Sequence, residues 1–206
     1  MKMLLMGNTY PLILDGVIKE QLQLYFDKDS VKTIIKKVNE EYKAVIKRAP
    51  DIGGKENIFI DIMYLGSYVI ALYKNMKDKV TIEQFNVMIK NGIENCDLLK
   101  KKMKKIDISS VEYNEKLEIA EKWSESNKEK YPTNWILKLP KDVKSDGIYF
   151  EFNRCALCAL CKSEGVLELI PSLCEIEYIV LNMANCTLTR RKTLGGGDAC
   201  CNFWIR

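Results

Sequence analysis

The feature that most constrains the fold of this chain is a change of hydrophobic period near Pro132. Before it, apolar residues recur at helical spacing; after it, they fall into short branched or aromatic runs. "VKTIIKKVNEEYKAVIKRA" places Val31, Ile34, Ile35, Val38, Tyr42, Val45 and Ile46 on one helical face, with Ser30 as the expected cap. Pro50 and the glycines of "PDIGGKEN" stop that helix. "IFIDIMYLGSYVIALYKNM" is apolar almost all round, as a buried central helix would be. Thr81 with Gln84 has the form of a capping box opening "IEQFNVMIKNGIENCDLLKKKMKK", read as one helix. A further helix is expected from about Val111 to Lys130.

Beyond Pro132, "NWILKLP" and "GIYFEFN" read as strands, bounded by Pro140, Asp146 and Gly147. "CALCALCKSEG" and "PSLCEIEYIVLNM" return to helical spacing, and Gly165 is a natural C-terminal stop. "CTLTRRKTL" and "CCNFWIR" flank a glycine-rich turn and form a hairpin. The expected fold class is α+β: a helical region over residues 1–130 packed on a Cys-rich module over residues 131–206. That module holds a four-stranded antiparallel sheet and two or three helices, and the two parts form one compact unit.

With 206 residues, 47% of them hydrophobic, the chain can bury a sizeable core. A net charge of +4 is mild, and the lysines of 100–105 have no interleaved aromatics, so they read as a solvated helix face and not as a nucleic-acid groove. No apolar tract is long enough for a membrane span. The opening "MKMLLMGNTYPLILDG" begins like a secretory leader but is broken by Gly7, Asn8 and Pro11, so a cytoplasmic protein is expected. The eight cysteines are then free thiols and not a disulfide framework. The apolar "IMYLGSYVIALY" tract suits either an internal core or a homodimer seam.

The chain has no histidine, which excludes a Ser–His–Asp triad, a Cys–His pair and any histidine-based metal site. Acid–base work falls to carboxylates, thiols, tyrosines or lysines. Cys155, Cys158 and Cys161 stand three apart on a helix, either as zinc ligands completed by Cys174 or Cys201, or as a small apolar stripe. Cys155 follows directly from a strand and is expected in the first turn of the next helix. There the helix dipole and Arg154 would favour a thiolate; a buried or capping thiol is the alternative. Arg190 and Arg191 alternate across a strand, so one faces inward, to hold a carboxylate ligand or to pair with Glu177.

Four segments, in order, resemble the L-2-amino-thiazoline-4-carboxylic acid hydrolase family. "APDIGGKENIFIDIMYLGSYVIALYKNM" is similar to its glycine-pair segment leading into an apolar helix, and "YPTNWILKLP" to the stretch before its first strand. "YFEFNRCALCALCKSEGVLELIPSLCEIEY" resembles its strand–Cys–helix run followed by P-x-x-C and an acid. "LTRRKTLGGGDACCNFWI" resembles its final hairpin. The matching positions are Gly53, Gly54, Asn57, Cys155, Pro171, Cys174, Glu177, Arg190, Thr193, Gly197, Cys201 and Phe203. Glu177 stands where an aspartate is usual, and Asn202 where the Cys-Asp-Phe motif has its acid. The Gly…Cys-x-Phe hairpin is also similar to the small-molecule-binding domain named after 4-vinyl reductase, which implies a ligand pocket without turnover.

The first resemblance implies opening of a 2-amino-thiazoline-4-carboxylate ring to N-carbamoyl-cysteine by C–S cleavage. The expected catalytic residues are Cys155, Cys174 and Glu177; the expected substrate-binding residues are Arg190, Thr193, Cys201 and Asn57. Arg190 would hold the substrate carboxylate, and Glu177 would activate water or engage the amidine. A thiol would attack the amidine carbon or protonate the departing sulfur. No resident cofactor is expected, zinc on the cysteines being the alternative. The expected partner is a small sulfur-containing amino acid derivative, with no nucleic acid and no membrane.

Overall fold

A computed structural model describes residue 1, residues 5–142 and residues 146–206. The basic and apolar opening at residues 2–4 lies outside the described residues. Helices α1 (Thr9–Leu22), α2 (Lys28–Arg48), α3 (Ile60–Met76), α4 (Ile82–Glu94), α5 (Asp97–Met103) and α6 (Val111–Ser126) come first. Strands β1 (Ile136–Lys138) and β2 (Ile148–Arg154), helices α7 (Ala156–Glu164) and α8 (Ile170–Met183), and strands β3 (Leu188–Thr189) and β4 (Cys201–Ile205) follow. The four strands form one antiparallel sheet in the order β1-β2-β4-β3, so the fold is α+β. Among the described residues no helix is long and apolar enough to cross a membrane.

Helix α2 starts at Lys28, two residues before Ser30. Asp27 is its cap, its carboxylate accepting from the amides of Asp29 and Ser30 at 3.0 Å, and the Ser30 hydroxyl donates to the same side chain. A carboxylate is the better acceptor for unpaired helix amides and also complements the dipole. The Thr81–Gln84 capping box is present at α4. The helix it opens is shorter than expected: Asn95 and Cys96 interrupt it, and α5 begins after them. Helix α6 ends at Ser126, short of Lys130. Lys101, Lys102, Lys104 and Lys105 are exposed, and Lys102 pairs with Asp61 at 3.1 Å.

Helix α3 is buried on nearly every side and packs against α1, α2, α4 and α7. One hydrophobic cluster runs from Leu14 in α1 to Ile205 in β4. Helix α6 is tied to β1 by the Ser124 hydroxyl and the Glu121 carboxylate, which accept from the amides of Leu137 (3.2 Å) and Leu139 (2.8 Å). On β2 and β4, Phe150, Phe152, Cys201, Phe203 and Ile205 turn to the buried face, and Phe150 stands opposite Phe203 in the register. Helix α8 covers that face. Gly165 closes α7 at φ 70°, a left-handed stop that lets the chain turn back into α8.

Candidate functional site

Five of the expected residues meet around one small hollow between α8, the start of α7 and the buried face of the sheet. Cys155, Cys174, Glu177, Arg190 and Cys201 all line it, with Cys158 and an apolar wall that includes Trp135, Phe152 and Phe203. Its volume is about 20 Å³, enough for a single water molecule, which needs roughly 10–15 Å³. Phe152, Leu157, Leu173, Glu177 and Phe203 also line a second, larger cavity of about 200 Å³.

Each side chain reaches the hollow for a local reason. Cys174 and Glu177 are one turn apart on α8 and so share a face. Arg190 follows β3 immediately, and its side chain is only 2% exposed while Arg191 lies in solvent. Arg190 Nη1 donates to Glu177 Oε2, and Nη2 donates to the Cys174 carbonyl at 2.8 Å. Its guanidinium also lies 4.9 Å from the ring centre of Tyr178 and 5.1 Å from that of Phe203. Its Nε is buried and has no hydrogen-bond partner. Both readings left open for this arginine therefore have a structural counterpart: it is paired with Glu177, and it retains one donor.

Of the two readings left open for Cys155, thiolate and buried or capping thiol, the second matches its place at the N-cap of α7. Cys155 caps α7 from outside, with extended backbone at φ −123°, ψ 120°. Its thiol is pushed well above the ordinary value by its hydrogen bond with Cys158 and then by burial. Arg154 supplies no relief, because its Nη1 donates to the carbonyls of Pro132 (2.6 Å) and Lys128 (3.2 Å). Burial pushes the Cys174 thiol up to about 12, with Glu177 adding to the rise and Arg190 opposing it. Cys201 is pushed up to about 11, again by burial first, although the Leu194 amide donates to its sulfur at 3.1 Å. Burial also raises the Glu177 carboxyl, against the pull of Arg190. Burial is thus the first cause of the rise at Cys174, Cys201 and Glu177, and the Cys158 hydrogen bond is the first cause at Cys155.

Two expected residues lie elsewhere. Asn57 is buried beside the glycine turn, donating from Nδ2 to the Ile52 carbonyl and to Asn134 Oδ1, both at 2.7 Å, and accepting from the Phe59 amide at 2.9 Å. Thr193 caps a short 3₁₀ turn, its hydroxyl accepting from the Gly196 amide at 3.0 Å. The expected hairpin between β3 and β4 is therefore a wide excursion and not a tight turn. Asn202 holds that excursion in place: its Oδ1 accepts from the amides of Arg191 (2.9 Å) and Lys192 (2.7 Å). An aspartate there would accept the same two bonds, so this departure from the family pattern touches the loop and not the hollow.

Cys161, the third thiol of the helical stripe, is buried outside the hollow. Among the described residues no group of three or more Cys, Asp or Glu side chains is disposed to hold a metal ion. The sequence reading missed the walls, Trp135, Leu157 and Leu173. Nothing in their own spacing marks them, because only the packing of α8 on the sheet brings them to the cysteines.

A model of the L-2-amino-thiazoline-4-carboxylic acid hydrolase family matches residues 61–205, most of the chain and every residue that lines the hollow. The chain belongs to that family. Pro171, Cys174 and Arg190 all fall within the matched range. The glycine pair and Asn57 precede the matched range. No curated protein and no solved structure matches the chain.

Proposed function

We propose that this protein is a hydrolase that opens a 2-amino-thiazoline-4-carboxylate-like ring to N-carbamoyl-cysteine. The supporting observation is the meeting of Cys155, Cys174, Glu177, Arg190 and Cys201 around one water-sized hollow, in a chain of this family. In the proposed reaction the water oxygen bonds to the ring carbon that bears sulfur, ring nitrogen and exocyclic amine. Glu177 takes a proton from that water and passes it to the ring nitrogen. The tetrahedral carbon then collapses to the ureido carbonyl, the C–S bond breaks, and its electron pair leaves on sulfur. The second water proton ends on that sulfur, so one water is consumed and one thiol appears.

The raised thiols favour this water route over covalent attack, since a nucleophilic cysteine must ionise. Cys155 and Cys174 instead hydrogen-bond the departing sulfur. Arg190 offers its spare Nε–H to the substrate carboxylate without releasing Glu177. The ring's reacting edge meets Glu177 where the hollow and the larger cavity share a wall. Unpaired thiols suit a reducing cytoplasm.

A second reading, a non-catalytic small-molecule-binding module, is supported by the small hollow and its protonated thiols. Incubating the purified protein with 2-amino-thiazoline-4-carboxylate and following new thiol, with N-carbamoyl-cysteine identified by mass spectrometry, separates the two. Product that disappears in Glu177→Gln supports the hydrolase. Binding without product favours the module. Full turnover by a Cys155→Ala, Cys174→Ala double variant eliminates the role given to the thiols, and full turnover by the corresponding serine variant eliminates covalent attack.

A further inference from the structure

The 200 Å³ cavity beside the hollow has a lining that the proposed substrate alone does not explain. It is lined by α3, α6, α7, α8 and the sheet and is partly open, and Phe150, Phe152, Leu173, Ile176 and Phe203 in its wall are all buried. Among the described lining residues Glu177 is the only one that brings a carboxylate or an ammonium-type charge. A bare amino-thiazoline carboxylate carries a carboxylate and an amidine around a five-membered ring. Seating it wholly in this cavity would leave most of its polar atoms without partners, which is unfavourable. Protein interiors otherwise close-pack, so a void of this size against aromatic walls fits an apolar occupant better than a structural core.

The cavity also borders a third one. Phe59, Ile62, Leu65, Tyr113, Leu117 and Val180 line both it and a cavity of about 450 Å³ between α1, α3, α5 and α6. That outer cavity is bordered by the exposed side chains of Ile58 and Leu98, and by Lys102 and Lys116. The inner cavity alone is below the ~300–1,000 Å³ usual for a complete small-molecule ligand. Apolar walls thus extend from that exposed border inward to Glu177, the charged side chain of the inner cavity.

We infer that the natural ligand is an amphipathic molecule: a polar head of the amino-thiazoline type held at Glu177, and an apolar substituent, an aryl or short alkyl group, against the apolar walls of the 200 Å³ cavity. The identity of the head group rests on the proposed hydrolase reading; the apolar body rests on the cavity. Glu177, on the wall between hollow and cavity, is the pivot between the two halves. Val180 and Ile62 line both the inner and the outer cavity, so bulk at either position shortens the space for the substituent.

The test compares 2-amino-thiazoline-4-carboxylate with its 5-phenyl derivative on the full chain, by product formation and by titration calorimetry. The phenyl compound is expected to have kcat/KM at least about tenfold higher, the scale on which hydrophobic pockets discriminate. It should also bind with a more negative heat-capacity change, the mark of apolar burial. Val180→Phe should bring the ratio of the two compounds towards one; Ile62→Phe serves if that variant does not fold. A bare ring turned over as well as the phenyl compound, with the ratio unmoved in the variant, overturns the apolar ligand while leaving the hydrolase reading intact. Tenfold tighter binding of the phenyl compound, lost in Val180→Phe but without hydrolysis of either, supports the apolar cavity and defeats the hydrolase reading. A phenyl preference that survives both variants overturns the placement, and binding of neither compound overturns the inference outright.

Discussion

Arg190 and Glu177 form an ion pair across the seam between α8 and the segment after β3, the arginine side chain 2% exposed and the glutamate side chain 28%. The asymmetry matters because a guanidinium cannot give up its charge, whereas a carboxyl can take a proton. Glu177→Gln leaves the more buried charge without its partner and should cost about 3–5 kcal/mol of stability. Arg190→Met should cost less, because Glu177 can neutralise itself. Burial raises the Glu177 carboxyl, so between the ordinary 4.5 and the raised value the folded chain binds more of this proton than the unfolded chain does, and above that value Glu177 is the ionised partner of Arg190. Its contribution therefore falls as pH rises from the ordinary 4.5 through the raised value. Arg190→Met removes the opposing pull, so urea unfolding should show that variant regaining stability relative to wild type between pH 7.5 and pH 5.

The raised thiols set an alkaline limit. Cys174 and Cys201, at about 12 and about 11 against an ordinary 9.0, keep protons in the folded chain that the unfolded chain releases above pH 9. Stability should therefore decline as pH rises from 9 towards 11, each thiol adding at most about 1.4 kcal/mol per pH unit. Guanidinium melts at pH 9 and pH 10.5 should show a shallower decline in a Cys174→Ala, Cys201→Ala variant.

Asn57 is held by three hydrogen bonds outside the hollow. Asn57→Ala leaves the Ile52 carbonyl and Asn134 unpaired and should cost about 2–4 kcal/mol. KM for a turned-over substrate should stay unchanged in the folded fraction. A raised KM at full stability would instead return Asn57 to substrate binding.

Gly53 has φ 95°, and a Cβ built there would lie 2.4 Å from the Trp123 ring, which stacks on Tyr131. Both backbone and ring oppose a side chain, so Gly53→Ala should lose about 2–4 kcal/mol. Gly54 also has positive φ, but a Cβ there meets nothing within 4 Å, so Gly54→Ala should cost less in a thermal melt.

Much of this architecture was legible along the chain because local patterns record it. The stripe of α2, the all-round apolarity of α3, the Thr81–Gln84 box and the Gly165 stop are each written within a few residues of where they act. Errors fell where two local signals competed. Asp27 displaced Ser30 as a cap, and Asn95 and Cys96 broke a helix whose apolar spacing continued past them.

The site divides differently. The sequence by itself determined which residue types are available: thiols, one inward arginine and carboxylates, with no histidine. The packing of α8 on the buried face of β2 and β4 decided that Cys155, Cys174, Glu177, Arg190 and Cys201 share a hollow. The same burial raises the Cys174 and Cys201 thiols, whereas Cys155 is raised first by its near neighbour Cys158. A helix terminus favours a thiolate through one local dipole, whereas desolvation depends on every neighbour that displaces water, and those neighbours come from segments far apart in the chain.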